Sequence, residues 1–288
     1  MKPAPFSYHA PSTLDAMLAL LAEGGEDGKV IAGGQSLVPM MNFRLARPAR
    51  LFDLNGVAEL DFLRAEGGWL RIGALARHAA FHRPPCGGPT GALLAEVVRH
   101  IAHYPIRQRG TFAGSIAHAD PASEWCLVAA TLGAEIVARS RAGERRIGAG
   151  DFFLASLSTA LRPDELIVEV RLPILDAGWR TGFCEFSRRV GDFGIAMTAV
   201  ALRVESGVVR EARIGVGGVE DHPARQPAAE QALVGQPVAA RAFAAAADAV
   251  AGAVRPMEDL HADAAYRRHL ARTTTRRALE QACAGSGS

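Results

Sequence analysis

A short apolar run, Lys29-Val30-Ile31, passes directly into Ala32-Gly33-Gly34-Gln35-Ser36, and this junction restricts the chain more than any other stretch. A strand that ends in two glycines can turn sharply with its amide groups bare and no β-carbons in the way. Amides gathered like this suit a phosphate, the more so when a helix follows. Apolar residues resume at Leu37, Val38, Met40 and Met41, as a helical turn after the loop requires. Gln35 and Ser36 add side-chain hydrogen-bonding groups. The pattern is neither the GxGxxG of a Rossmann fold nor the GxxxxGK(S/T) of a P-loop, and a glycine pair alone also suits a plain turn.

A second segment of similar make lies far downstream. Thr111-Phe112-Ala113-Gly114-Ser115 is rich in small residues and carries a hydroxyl at each end. Two such glycine-rich loops fit a pyrophosphate held from two sides, each phosphate receiving its own donors. Asp120 and Glu124 follow, placed to accept hydrogen bonds from a ribose or ribityl hydroxyl. The same carboxylates also read as solvated groups or as a helix N-cap around Pro121.

The rest of the chain mixes helices and strands. Leu14, Met17, Leu18 and Leu21 share one helix face, with Ser12 and Asp15 spaced as a capping box and Gly24-Gly25 as the stop. Leu51–Leu54 reads as a short strand, completing a βαβ-like unit over residues 1–57. Residues 58–176 hold a strand at Trp69–Ala74, a helix from Leu93 to His103, and strands at 134–138 and 165–172. Residues 177–288 begin with strands at Thr198–Val204 and Val208–Val216 and then turn alanine-rich and helical over 243–254 and 264–283. The second of these helices is expected to break at Thr273-Thr274-Thr275, poor helix formers, and the tail 285–288 reads as disordered.

Composition narrows the function classes. A chain of 288 residues, 49% hydrophobic and 22% charged, is that of a globular protein with more than one unit. A net charge of +2 gives no argument for a nucleic-acid partner, and no run of about 18 apolar residues suggests a transmembrane segment. The four cysteines, at 86, 126, 184 and 283, form no CxxC pair. That points to a reducing, cytoplasmic compartment and away from an iron–sulfur cluster on this chain. His100 and His103 have no third ligand nearby in sequence and read as solvated helix positions, so no metal site is expected. Phe112 and Trp125 read as core anchors, Arg267-Arg268 as a solvated face or a subunit contact, and Asp192 as a turn cap.

Ala32–Pro39 and Arg109–Pro121 together resemble the paired motifs of the FAD-binding medium subunit of molybdenum hydroxylases. This family includes carbon monoxide dehydrogenase and the flavin domain of xanthine dehydrogenase. The similarity continues in family order through Arg47-Pro48 with Asp53-Leu54, Leu70–Ala74, Asp164–Ile167, Ser187–Arg189 with Gly191–Phe193, Asp259–His261 and Tyr266–Leu270. It departs in three places. Ala113 stands where the family usually has glycine, Phe193 where it often has tyrosine, and Leu75-Ala76-Arg77-His78 where a threonine is common.

The resemblance implies an α+β fold of the vanillyl-alcohol-oxidase (PCMH) type: two N-terminal α+β subdomains hold FAD in a cleft and a C-terminal α+β domain closes it. It implies FAD binding through Lys29, Ile31, Ala32, Gly33, Gly34, Gln35, Ser36, Leu37, Ala74, Thr111, Ala113, Gly114, Ser115, His118 and Asp120. Within that set the pyrophosphate falls to 32–36 and 111–115, the adenosine ribose to Glu124, and the isoalloxazine neighbourhood to Leu161 and Phe193. It also implies partners: a large subunit with a molybdenum–pterin cofactor and a small subunit with two [2Fe-2S] clusters, as a heterotrimer or a dimer of heterotrimers. Electrons would reach FAD from those clusters and leave to an external acceptor, with no catalytic acid or base on this chain. The alternatives are a stand-alone FAD-dependent oxidase or dehydrogenase, and a flavin-free assembly subunit.

Overall fold

Three successive β-sheets organise the chain, as seen in a computed structural model that describes residues 2–284. The reading of the tail as disordered lies outside the described residues. The first sheet is parallel, in the order β1 (Ser7–His9), β3 (Arg50–Asp53), β2 (Gly28–Ile31). Between β1 and β2 runs α1 (Leu14–Gly24), which buries Leu14, Met17, Leu18 and Leu21. Its cap is Thr13, whose hydroxyl accepts from the Ala16 amide at 3.3 Å, and not the expected Ser12. A helix starts where a side-chain oxygen reaches the third amide ahead of it, and Thr13 is the residue so placed. β2 delivers the chain into residues 32–36 and then α2 (Leu37–Asn42).

The second sheet is antiparallel. β4 (Leu63–Glu66) and β5 (Trp69–Gly73) form one edge, and β6 (Glu135–Ser140) and β7 (Gly143–Gly148) the other. α3 (Gly88–Val97), α4 (Tyr104–Arg107), α5 (Phe112–His118) and α6 (Glu124–Leu132) lie between those edges in sequence. After α7 (Ala149–Phe152), a hairpin of β8 (Phe153–Ala155) and β9 (Ser158–Thr159) leads to β10 (Leu166–Pro173), which pairs with both β5 and β6. The expected helix over 93–103 ends at Val97; the chain then turns, with Ala102 at φ 43°, into α4.

The third sheet is antiparallel in the order β11 (Trp179–Phe186), β12 (Ala196–Glu205), β13 (Val208–Gly217), β14 (Ala224–Arg225). The sequence reading missed β11 because its buried positions, 179, 182 and 183, do not alternate. α8 (Pro227–Leu233), α9 (Ala240–Ala253) and α10 (Ala264–Cys283) complete the chain, and α10 packs on β11 and β12. α10 runs unbroken through Thr273–Thr275, against expectation. The Thr198 hydroxyl, buried on β12, bonds those of Thr274 (2.9 Å) and Thr275 (3.2 Å), and Thr274 also donates to the Leu270 carbonyl. Tertiary partners outweigh intrinsic propensity here.

α6 is buried over all nine of its residues, between the second and third sheets. Trp125 and Phe112, both fully buried, stack with centroids 4.8 Å apart, and Phe81 lies 5.1 Å from Trp125. Arg267 is no solvated residue: it is 4% exposed, and its guanidinium donates to the carbonyls of Ile195 and Gly218 and to Asp259. It ties α10 to the open end of the β12–β13 hairpin, where β12 begins and β13 ends. The turn holding Asp192 is closed by that residue's amide, which donates to the Arg189 carbonyl at 3.1 Å.

Candidate functional site: a cleft between two loop segments

A cleft of about 700 Å³ opens between the first and second sheets, a size typical of small-molecule sites. One wall is the first segment. Gly34 has φ +71°, a conformation only glycine adopts without strain. Gly33 approaches the other wall so closely that a β-carbon on it would stand 2.4 Å from the Arg109 carbonyl oxygen and 2.6 Å from Gly110 Cα. The amides of Gly33, Gly34, Gln35 and Ser36 donate to no protein acceptor among the described residues. The Gln35 side chain folds back onto the Gly33 carbonyl at 2.9 Å, which holds the loop in shape.

The second segment is not the loop the sequence suggested. It is the first turn of α5: the Thr111 hydroxyl accepts from the Gly114 amide at 3.0 Å, and the Ser115 amide donates to the Thr111 carbonyl. Phe112 donates to the Ala76 carbonyl, which leaves Thr111 and Ala113 as the amides with no described acceptor. Ala113 sits in ordinary helical backbone, so the methyl that replaces the usual glycine causes no strain.

Two residues absent from the sequence-based set fasten the walls together. The Asn55 side-chain amide donates to the Ala32 carbonyl at 2.9 Å, while Arg77 donates to Asn55 Oδ1 at 2.5 Å and to the Arg109 carbonyl. A hydrogen-bonded chain thus runs from the first segment to the residue two places before the second. Burial, followed by the nearby Arg109 cation, lowers the Arg77 pKa, and the Asp61 and Asp53 carboxylates oppose that. Behind the second segment, the His78 ring is 5% exposed and accepts at Nδ1 from the Trp125 indole at 3.0 Å.

The far wall comes from residues 157–167. The Leu157 amide donates to the Ala119 carbonyl, docking the β8–β9 hairpin on the end of α5. Leu161 and Arg162 line the cleft, and so does Glu165. Burial alone would raise the Glu165 carboxyl, but bonds from Arg145 (2.6 and 2.7 Å) and the Arg162 amide (2.7 Å) bring it down to about 2.

Of the sequence-based set, Lys29, Ile31–Leu37, Ala74, Thr111, Ala113–Ser115, His118 and Leu161 all line this cleft. Three do not. Asp120 accepts from the Ala122 amide at 2.8 Å in a local turn, and Phe193 is 74% exposed on the loop before β12. Glu124 begins α6, is 8% exposed and influences Glu185 on β11; burial raises both carboxyls, and Asp120 adds to the rise at Glu124. Sequence reasoning missed His78, Gly110, Thr159, Arg162, Pro163 and 165–167, which line the cleft, as well as Asn55 and Arg77. Asn55 and Arg77 are polar residues beside β3 and β5, and nothing in local spacing marks them. His100, expected in a helix, lies beyond α3 with its ring edge-on to Phe183 at 5.0 Å. Among the described residues no three His, Cys, Asp or Glu side chains gather to hold a metal.

The cleft fits FAD. It has the volume, a set of unanswered amide donors, and a backbone approach that a single β-carbon would fill. Residues 4–175 match the family described as the FAD binding domain in molybdopterin dehydrogenase, and residues 181–282 match the CO dehydrogenase flavoprotein C-terminal domain. The chain is 40% identical to the 6-hydroxypseudooxynicotine dehydrogenase complex subunit alpha of Paenarthrobacter nicotinovorans, over 98% of this chain and 96% of that one. It is 35% identical to the carbon monoxide dehydrogenase medium chain of Hydrogenophaga pseudoflava, over 99% of each. A solved structure of carbon monoxide dehydrogenase from Hydrogenophaga pseudoflava superposes with a TM-score of 0.95 at 38% identity, over 99% of each chain. The chain therefore belongs to the FAD-binding medium subunits of molybdenum hydroxylases.

Proposed function

We propose that Gly33–Ser36 and Thr111–Ser115 hold the FAD diphosphate from opposite sides of the cleft, with Lys29, Ile31, Ala32, Leu37, Ala74, His118 and Leu161 lining the remainder of the cofactor site. The carrying observation is the row of four amides, Gly33 to Ser36, that meet no protein acceptor. Such a row, half-buried at Gly33 to Gln35 and exposed at Ser36, is a nest for an anion. Bound FAD supplies reversible redox chemistry, and the protein's part is to bind, orient and shield it. The chain adds no acid, base or nucleophile to the hydroxylation, which occurs on the large subunit. Asp120, Glu124 and Phe193 serve the site from outside the cleft, through the turn before α6, the packing of α6 on β12 and β13, and the exposed loop ahead of β12. Residues 1–57, 58–176 and 177–288 act as two cofactor-holding units and a closing unit. Four cysteines without a disulfide favour a cytoplasmic setting, and no helix among the described residues is long and apolar enough to cross a membrane.

Gly34→Val tests the assignment. At φ +71° a β-branched residue is strained by about 1–3 kcal/mol, which the fold should survive. The expected product is a folded chain with little bound flavin by absorbance. Full flavin content in a folded variant would overturn the diphosphate assignment.

A further inference from the structure

His78 occupies the place where the two segments meet, and its ring is fixed from behind. The Trp125 indole N–H can only donate, so Nδ1 of His78 accepts, at 3.0 Å. Burial, with Arg107 and Arg77 next, pushes the His78 pKa down to about 4, so at neutral pH the ring is uncharged. A neutral imidazole that accepts at Nδ1 carries its proton on Nε2. That atom lies against Gly110: a β-carbon there would stand 2.5 Å from it. Gly110 is in turn the residue that Gly33 touches, and His78 and Gly110 both line the cleft. Nε2 has no hydrogen-bond partner among the described residues. A donor fixed so rigidly on the cleft wall is available to an acceptor that enters the cleft.

We infer that His78 binds the cofactor directly, donating its Nε2–H to a diphosphate oxygen of FAD at the junction of the two segments. This rests on the placement of the FAD diphosphate in the cleft. It assigns Trp125 a role besides packing, since the indole selects the tautomer that makes His78 a donor. It also explains the bare Gly110: any side chain there would displace the ring.

Two substitutions separate donation from bulk. Glutamine keeps a donor near the position of Nε2. Asparagine is too short to reach it, but its oxygen still accepts from Trp125. With flavin stripped from the full-length chain and FAD titrated by fluorescence quenching, His78→Asn should weaken binding roughly tenfold or more, while His78→Gln stays near the unaltered chain. The 31P resonances of bound FAD should shift in His78→Asn. Equal affinity of His78→Asn and the unaltered chain, or equal weakening in both variants, overturns the inference. If neither variant folds, the Nε2–H signal of the 15N-histidine-labelled unaltered chain decides: it should move downfield on addition of FAD but not of riboflavin, which lacks the diphosphate. No movement with FAD overturns donation. The Gly34→Val result keeps the two claims apart: flavin lost there but retained at full affinity in His78→Asn defeats only the inference about His78.

Discussion

The two segments that face each other across the cleft were similar in sequence and differ in construction. Residues 33–36 form an open turn with four amides that answer to nothing in the protein, whereas residues 111–115 cap and begin a helix and leave two. The first arm is therefore a binding surface held in shape by its glycines, and the second is a structural element that contributes a few donors while spending its threonine on itself. Similar composition thus conceals two different tasks, and substitutions in the two arms should fail in different ways.

The sharpest break comes at Gly33. Its added β-carbon would collide with backbone, which cannot rotate away, so Gly33→Val should push the arms apart, cost about 1–3 kcal/mol in stability and leave the purified chain essentially without flavin absorbance. A well-folded, fully yellow Gly33→Val protein would show that the arms need not touch. Next in size is Arg77→Met, which removes the link between the arms without entering the cleft. Loss of hydrogen bonds from a charged group, about 1.5–3 kcal/mol, should appear as at least tenfold faster FAD release in stopped-flow measurements. An unchanged release rate would mean that the arms hold their spacing unaided.

Thr111→Ala probes the second arm as a helix start. It should lower stability by about 1 kcal/mol in thermal or urea unfolding, and Thr111→Ser should restore most of it, with FAD affinity changing less than in Arg77→Met. A larger effect on flavin than on stability would make the hydroxyl a cofactor ligand. The smallest effect belongs to Ala113→Gly, which restores the residue usual in the family. With helical backbone already at 113, the change should cost up to about 1 kcal/mol of stability and bring no gain in FAD affinity by titration.

What the sequence disclosed about the site followed the range of each interaction. The 32–36 turn could be read because its glycines act locally, on the backbone that carries them. The helical state of 111–115 was hidden because Thr111 caps a turn that small residues disguise as a loop. Asn55, Arg77 and His78 were invisible as parts of one site, since each meets its partner across 22 to 47 positions of chain. The same holds in the last unit: three consecutive threonines predict a weak helix until Thr198, 76 and 77 positions away, satisfies two of their hydroxyls. Arg267 looked like surface for the same reason, its acceptors being carbonyls at Ile195 and Gly218. Local backbone chemistry is written in neighbouring letters; buried polar networks are written in the topology.

The contact of Gly33 with Arg109 and Gly110 has a mechanical meaning. Where two parts of a protein meet through side chains, rotamer changes can take up slack, and the distance between them has some compliance. Here backbone meets backbone, so the junction behaves as a hard stop: the arms cannot close past a width fixed by the radii of main-chain atoms. The gap is thus a gauge machined into the scaffold, and its setting would survive extensive change in the side chains around it.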